Sequence, residues 1–245
     1  MDQSKKSAHT FTYFDLLDAC KQPGCPVCRL GDSTVRRYLS GLFYEFVNDP
    51  GTRDQLHTSM GFCDSHVTLL LETRIADGLG ASIIYQSLIH SILRDFQIYF
   101  PPRLPAKSSW SRRRAPHVKS PLEKAQETCP ACEYSNTVIE RAIHAIAQSL
   151  HEETTRAALQ KSDGLCLPHL WQALDYIQMP VDAEFLTRLT RDKLENLQDE
   201  MVELIRKHDY RFNSEGITQE EAMAWRNAMC MISGASLGLT LEKPG

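Results

Sequence analysis

The sequence predicts an all-α protein made of two pseudo-symmetric helical repeats and a C-terminal helix, and three observations carry that expectation. Apolar residues recur at spacings of three and four through most of the chain. Few segments alternate in polarity, and no Asn-Gly dipeptide marks a hairpin. One cysteine–histidine pattern also occurs twice. Cys25-Pro26-Val27-Cys28 is followed by Gly61-Phe62-Cys63-Asp64-Ser65-His66, and Cys129-Pro130-Ala131-Cys132 by Gly164-Leu165-Cys166-Leu167-Pro168-His169. The copies match beyond these residues. Arg53, Leu56, Ser59, Gly61, Cys63 and His66 correspond at one offset to Arg156, Leu159, Ser162, Gly164, Cys166 and His169.

Taken in order, residues 10–20 read as a short amphipathic helix with Tyr13, Phe14, Leu16 and Leu17 inward. Gln22-Pro23-Gly24 ends it. Pro26 suits the first position of the next helix, where its missing N–H leaves no bond unmade. Val35, Leu39, Leu42, Phe43 and Phe46 carry that helix to about residue 48, and Asp49-Pro50-Gly51 stops it. A short helix follows over about 52–59. Cys63 and His66, three apart, share a face at the start of a helix that ends near Asp77-Gly78. Another helix is expected over about 81–99. In the second half, Ile139, Ile143, Ile146 and Leu150 continue an inward stripe after Cys132, and Pro168 puts His169 at a helix start. Asp182 reads as the N-cap of the longest helix, about 183–211. Leu194, Leu197, Met201, Leu204 and His208 form a seam along it that packs on its own bundle. Thr218 and Glu221 make a capping box for the last helix, about 219–233.

These elements divide the chain into an N-terminal repeat with the first site (1–100), a Pro-rich basic linker (101–121), a C-terminal repeat with the second site (122–212), and a C-terminal helix and tail (213–245). The linker carries Arg103, Lys107, Arg112, Arg113, Arg114 and Lys119 with no acid. Six cations with one aromatic, Trp110, make a weak footprint for nucleic acid, so the linker reads first as a solvated tether. A net charge of -4 gives no whole-chain case for nucleic acid or membrane. No apolar run is long enough to span a bilayer, and the first residues lack a secretory apolar core. The expected compartment is the cytoplasm, where eight cysteines read as metal ligands before disulfides. Cys20 and Cys230, outside the pattern, read as small buried apolar residues.

Each copy offers three thiols and one imidazole as two pairs with two intervening residues, the donor set of a closed tetrahedral zinc site. The candidate ligands are Cys25, Cys28, Cys63 and His66 for one ion, and Cys129, Cys132, Cys166 and His169 for the other. Pairing within a repeat closes the shorter loops and is expected over the exchanged pairing, in which Cys25 and Cys28 complete Cys166 and His169. Three thiolates and a neutral imidazole give each zinc site a formal charge of -1, with Arg53 and Arg156 as candidates to offset it. Iron–sulfur is the weaker cofactor alternative, because such clusters usually take four cysteines. A thioredoxin-type pair lacks its sheet, and haem attachment lacks a His directly after Cys-x-x-Cys. No catalytic frame is recognisable.

The segments CPVCRL, YEFVNDPGTRDQL and GFCDSHV, with KHDYRF before an acidic turn and a Trp-Arg helix, resemble an uncharacterised bacterial family of unknown function. The resemblance covers most of the chain, least of all the linker. It implies the same ligands and a bacterial, cytoplasmic setting, and it brings no reaction. The function expected is that of a zinc-stabilised, non-enzymatic adaptor or regulator with a protein partner. A thiol or iron–sulfur redox sensor is the alternative, and the oligomeric state stays open.

Overall fold

The computed structural model describes residues 13–99 and 127–235, so the basic linker and the C-terminal tail lie outside the described residues. Among those described, every regular element is helical. They are α1 (13–19), α2 (Pro26–Glu45), α3 (Pro50–Thr58), α4 (Asp64–Thr73), α5 (Gly78–Arg94), α6 (Phe96–Tyr99), α7 (Pro130–Ser149), α8 (Glu153–Lys161), α9 (Leu167–Tyr176), α10 (Pro180–Lys207) and α11 (Gln219–Ser233), with a 3-10 turn at Asn213–Glu215. Element by element the halves agree in length: α2 and α7 have 20 residues each, α3 and α8 have 9, and α4 and α9 have 10.

The chain folds into two compact units that are not its two halves. Of the described residues, one gathers 13–33 and 136–235, and the other 34–99 and 127–135. The long helices α2 and α7 each start in one unit and end in the other. The first unit buries Leu16, Val27, Ile143, Ile146, Leu150, Leu159 and Leu186 around one core. The second buries Val35, Leu39, Leu42, Phe43, Leu56, Leu70, Ile84 and Leu88. Both sets come from the periodic stripes of their helices, which is why α2 feeds Val27 to one core and Leu39 to the other.

Several boundaries differ from the sequence reading. Phe14 points outward and is exposed, while Leu16 takes the core position. Helix α4 stops at Thr73 because Arg74 turns left-handed, at φ 55°, and Asp77 then caps α5 by accepting from Gly80 N–H. Asp182 is not a cap. Pro180 starts α10 behind Met179, and the buried Asp182 carboxylate instead takes Arg156 at 2.6 Å. Arg156 also donates to Leu150 O at 2.7 Å and lies 4.7 Å over the Phe185 ring. It therefore ties the end of α7 to the starts of α8 and α10. Helix α10 packs along α11, and Lys207 pairs with Glu221 at 2.6 Å. The capping box of Thr218 and Glu221 is present.

Two candidate metal centres

All eight candidate ligands come together in two groups of four, each group with three sulfurs and one nitrogen within 4.8 Å of one another. The pairing is exchanged. Cys25 and Cys28 meet Cys166 and His169, and Cys63 and His66 meet Cys129 and Cys132. This corrects the within-repeat pairing expected from loop length. The loop-closure saving is small, because each doubling of a loop costs only about 0.6 kcal/mol, and the helices decide instead. The start of α2 lies in the first unit with α9, and the start of α7 lies in the second with α4.

The local construction is the same four times. Cys63 and Cys166 are the N-cap residues of α4 and α9, with extended backbone and no hydrogen bond from the side chain to the helix. His66 and His169 follow three residues on. Cys25 and Cys129 precede Pro26 and Pro130, the first residues of α2 and α7, and their carbonyls accept from Arg29 N–H at 3.0 Å and Glu133 N–H at 3.1 Å. Cys28 and Cys132 again stand three residues on. Every donor pair thus takes the cap and third positions of a helix, the same two places that Thr218 and Glu221 use to bond each other's backbone in α11. At those places two side chains converge over the first turn. Each centre is therefore framed by two helix N-termini, whose positive ends favour thiolate.

Two glycines set the approach. Gly61 and Gly164, each two residues before its N-cap cysteine, have φ of +92° and +82°, where a β-carbon is strained. Ser59 and Ser162 hold these turns: Ser59 Oγ donates to Gly61 O at 2.8 Å, and Gly164 N–H donates to Ser162 Oγ at 3.0 Å.

The distances suit one ion per group. Zinc bonds of ~2.3 Å to sulfur and ~2.0 Å to nitrogen give tetrahedral edges of roughly 3.8 Å between sulfurs and roughly 3.5 Å between sulfur and nitrogen. In the first centre Cys28 and Cys166 sulfurs are 3.6 Å apart, and His169 Nδ1 lies 3.6, 3.3 and 3.1 Å from Cys25, Cys28 and Cys166. In the second, Cys63 and Cys132 sulfurs are 3.6 Å apart, and His66 Nδ1 lies 3.1, 3.6 and 3.4 Å from Cys63, Cys129 and Cys132. A disulfide needs about 2.0 Å, and all eight cysteines are free thiols.

Thiols this close cannot all ionise unless a cation sits among them. In the first centre, hydrogen bonds from Cys166 and Cys28 hold Cys25 well below the usual thiol range, while Cys166 and Cys25 push Cys28 far above it. His169 is raised to about 9: burial opposes this, but the contacts to Cys166 and Cys25 outweigh it. In the second, burial pushes Cys129 up but hydrogen bonds from His66 and backbone N–H groups bring it down to about 6. Burial and Cys63 push Cys132 up to about 12. A divalent ion held by these four donors would displace the protons and leave the sulfurs as thiolates.

Of the two arginines expected to offset the anionic centres, Arg156 is held by Asp182 and Leu150. A feature the sequence reading missed closes the first centre. The C-cap of α11, Gly234, brings its carbonyl to 3.2 Å from Cys28 Sγ, and a β-carbon there would stand 3.2 Å from Pro168 Cγ and 3.6 Å from Cys166 Sγ. A glycine ending a helix is visible in a sequence, but nothing local reports what it covers. Outside the centres, Cys20 is buried, and burial pushes its thiol up to about 11.

The profile of a family of unknown function (DUF6062) matches residues 7–235. The chain belongs to that family. It is also similar to an uncharacterized 23.9 kDa protein in the xynA 3' region of Caldicellulosiruptor sp. (strain Rt8B.4), 22% identical over 220 residues that cover 89% of this chain and 99% of that relative. No solved structure matches. No helix among the described residues is long and apolar enough to cross a membrane.

Proposed function

We propose that each centre binds one zinc ion as a closed structural site, and that the chain is a zinc-stabilised, non-enzymatic helical module acting as an adaptor or regulator through a protein partner. The observation that carries this reading is the fit of both donor sets to the edges of a zinc tetrahedron, with three sulfurs and one imidazole nitrogen in each. Four protein donors leave a zinc ion no open coordination position, so the reading is structural rather than catalytic. The exchanged pairing adds to it. Each ion would fasten two segments far apart in the sequence, Cys28 to Cys166 and Cys63 to Cys132, so binding free energy becomes folding free energy.

The test is metal content per chain, with an absorption spectrum, on protein purified without added metal. About two zinc ions and no visible band are expected. Iron with a broad visible band would overturn the zinc assignment and turn attention to redox sensing. Chelation is expected to collapse the helical circular dichroism signal, and a fully helical metal-free protein would remove the structural role.

A further inference from the structure

Helix α5 carries an exposed face without charge. From Gly78 to Leu93 it holds no acid, lysine or arginine, and its one formal charge is the last residue, Arg94. The long helices α2 and α7 are studded with Arg29, Asp32, Arg36, Arg37 and Glu45, and with Glu133, Glu140 and Arg141. One face of α5 is accounted for within its own unit: Gly80, Ile84 and Leu88 are buried, and Ser87 bonds His57 of α3 at 2.8 Å. Opposite them runs an exposed stripe of Leu79, Ser82, Gln86, Ile89 and Leu93. Leu79 is 73% exposed, Ile89 54% and Leu93 65%. Their spacing alternates three and four, the register of a helix seam. A helix apolar on both faces is ordinarily covered on both.

We infer that this stripe is where a second copy of the chain docks, α5 against α5, antiparallel about a two-fold axis at Gln86. The ends of the stripe match about that residue, Leu79 seven before it and Leu93 seven after, and its inner positions, Ser82 four before and Ile89 three after, would oppose each other across the axis. An isologous contact requires such self-complementarity. Antiparallel pairing sets Leu79 against the partner's Leu93. It also brings Gln86 against the partner's Gln86, and an amide carries both donor and acceptor and so bonds its own copy. The charges at the ends agree. Arg94, bonded to Asp95 at 2.8 Å, comes beside the N-terminus of the partner's α5, where Asp77 is the cap, and the two helix dipoles run opposed. A polar residue at the centre of an apolar seam fixes register at some cost in strength. A single helix pair lies at the small end of stable interfaces, so the dimer is expected to form and dissociate at about micromolar concentration.

This inference rests on the α5 face and not on the metal reading, so the experiment follows both. Sedimentation velocity of the full chain from about 1 to 200 μM, with metal content measured on each sample, is expected to show a monomer passing to a dimer. Gln86→Glu puts two carboxylates face to face across the axis and removes no apolar surface. It is expected to raise the half-dimerisation concentration by about a hundredfold or more, with helicity and metal content unchanged. Ile89→Glu does the same by burying charge, and Tyr44→Glu, at an exposed position off the stripe, leaves the dimer intact. A wild-type chain that stays monomeric to 200 μM overturns the inference, whatever else covers the stripe. So does a dimer that Gln86→Glu leaves unchanged.

Discussion

The two centres share one local design and differ in what lies over them. In the first, Cys28, Cys166 and His169 are buried and only Cys25 is half-buried; in the second, Cys129 alone is buried. Over the first lies α11, whose C-terminal carbonyl reaches Cys28 and which has no counterpart among the described residues of the second unit. One ligand pattern thus sits in a closed setting and in a more open one. The cap and third positions of two helices fix the geometry of a donor set, and the surrounding helices fix its access to water, acid and competing chelators.

The largest effect that tests this contrast is ligand loss. Cys166→Ser and Cys63→Ser are each expected to lose one metal equivalent. Structural zinc in small domains contributes roughly 10–16 kcal/mol, against a net stability of about 5–15 kcal/mol for a whole domain, so each variant is expected to lose the fold of its own unit. Cys166→Ser, in the deeper centre, should remove more helical signal at 25 °C. Equal losses in thermal melts followed by circular dichroism would mean that burial at the ligands does not set their structural weight.

Chelation separates the centres by rate. With a chromogenic chelator in excess, metal release is expected in two phases of equal amplitude, the second centre emptying first by about tenfold or more, since burial limits access to the protein interior. Gly234→Ala is the variant that narrows the gap. Its φ of +74° disfavours a β-carbon, and the new methyl meets Pro168 at 3.2 Å, so the end of α11 must lift from Cys28. A single phase for the wild-type protein would show that α11 does not guard the centre.

Much of this was legible in the chain. The four-fold use of cap and third positions is written in the Cys-Pro-x-Cys and Gly-x-Cys-x-x-His spacings, and the apolar periodicity of α2, α7 and α10 placed the cores. What was not legible depends on long-range packing. Loop entropy favoured joining Cys25 and Cys28 to the nearer Cys63 and His66, but that preference is weak, and the rigid lengths of α2 and α7 carry their starts into the opposite units. Asp182 looked like a cap because a carboxylate before an apolar run usually is one; a half-buried arginine 26 residues earlier claimed it instead. Arg156, a candidate to offset the charge of a centre, bonds Asp182 and Leu150.

The turns before the N-cap cysteines give a smaller effect. Gly61→Ala and Gly164→Ala each force a left-handed residue and are expected to cost about 1–2 kcal/mol in urea denaturation. Gly61→Ala should cost more, because its methyl would meet Leu88 of the core at 3.4 Å, whereas the methyl at Gly164 meets only the flexible Lys193 stem at 3.5 Å.

The smallest expected effect lies at the other end of the helix that guards the first centre. Lys207 and the Thr218 N–H hold the Glu221 carboxyl below the usual carboxylate range, and its oxygens lie 2.6 and 2.9 Å from Lys207 Nζ. A carboxyl whose folded pKa is depressed contributes stability that is present above its unfolded value, about 4.3, and that is lost as pH falls through the folded value. Glu221→Gln keeps a side chain able to close the capping box and removes only the charge. The variant is therefore expected to be less stable than wild type at pH 7, with the difference in urea midpoint narrowing as the pH is lowered through 4 and below. Because α11 carries Gly234, the same variant should also quicken metal release from the first centre at pH 7 while leaving the second unchanged. A gap in midpoint that persists undiminished at pH 3 would assign the contribution of Glu221 to packing rather than to its charge.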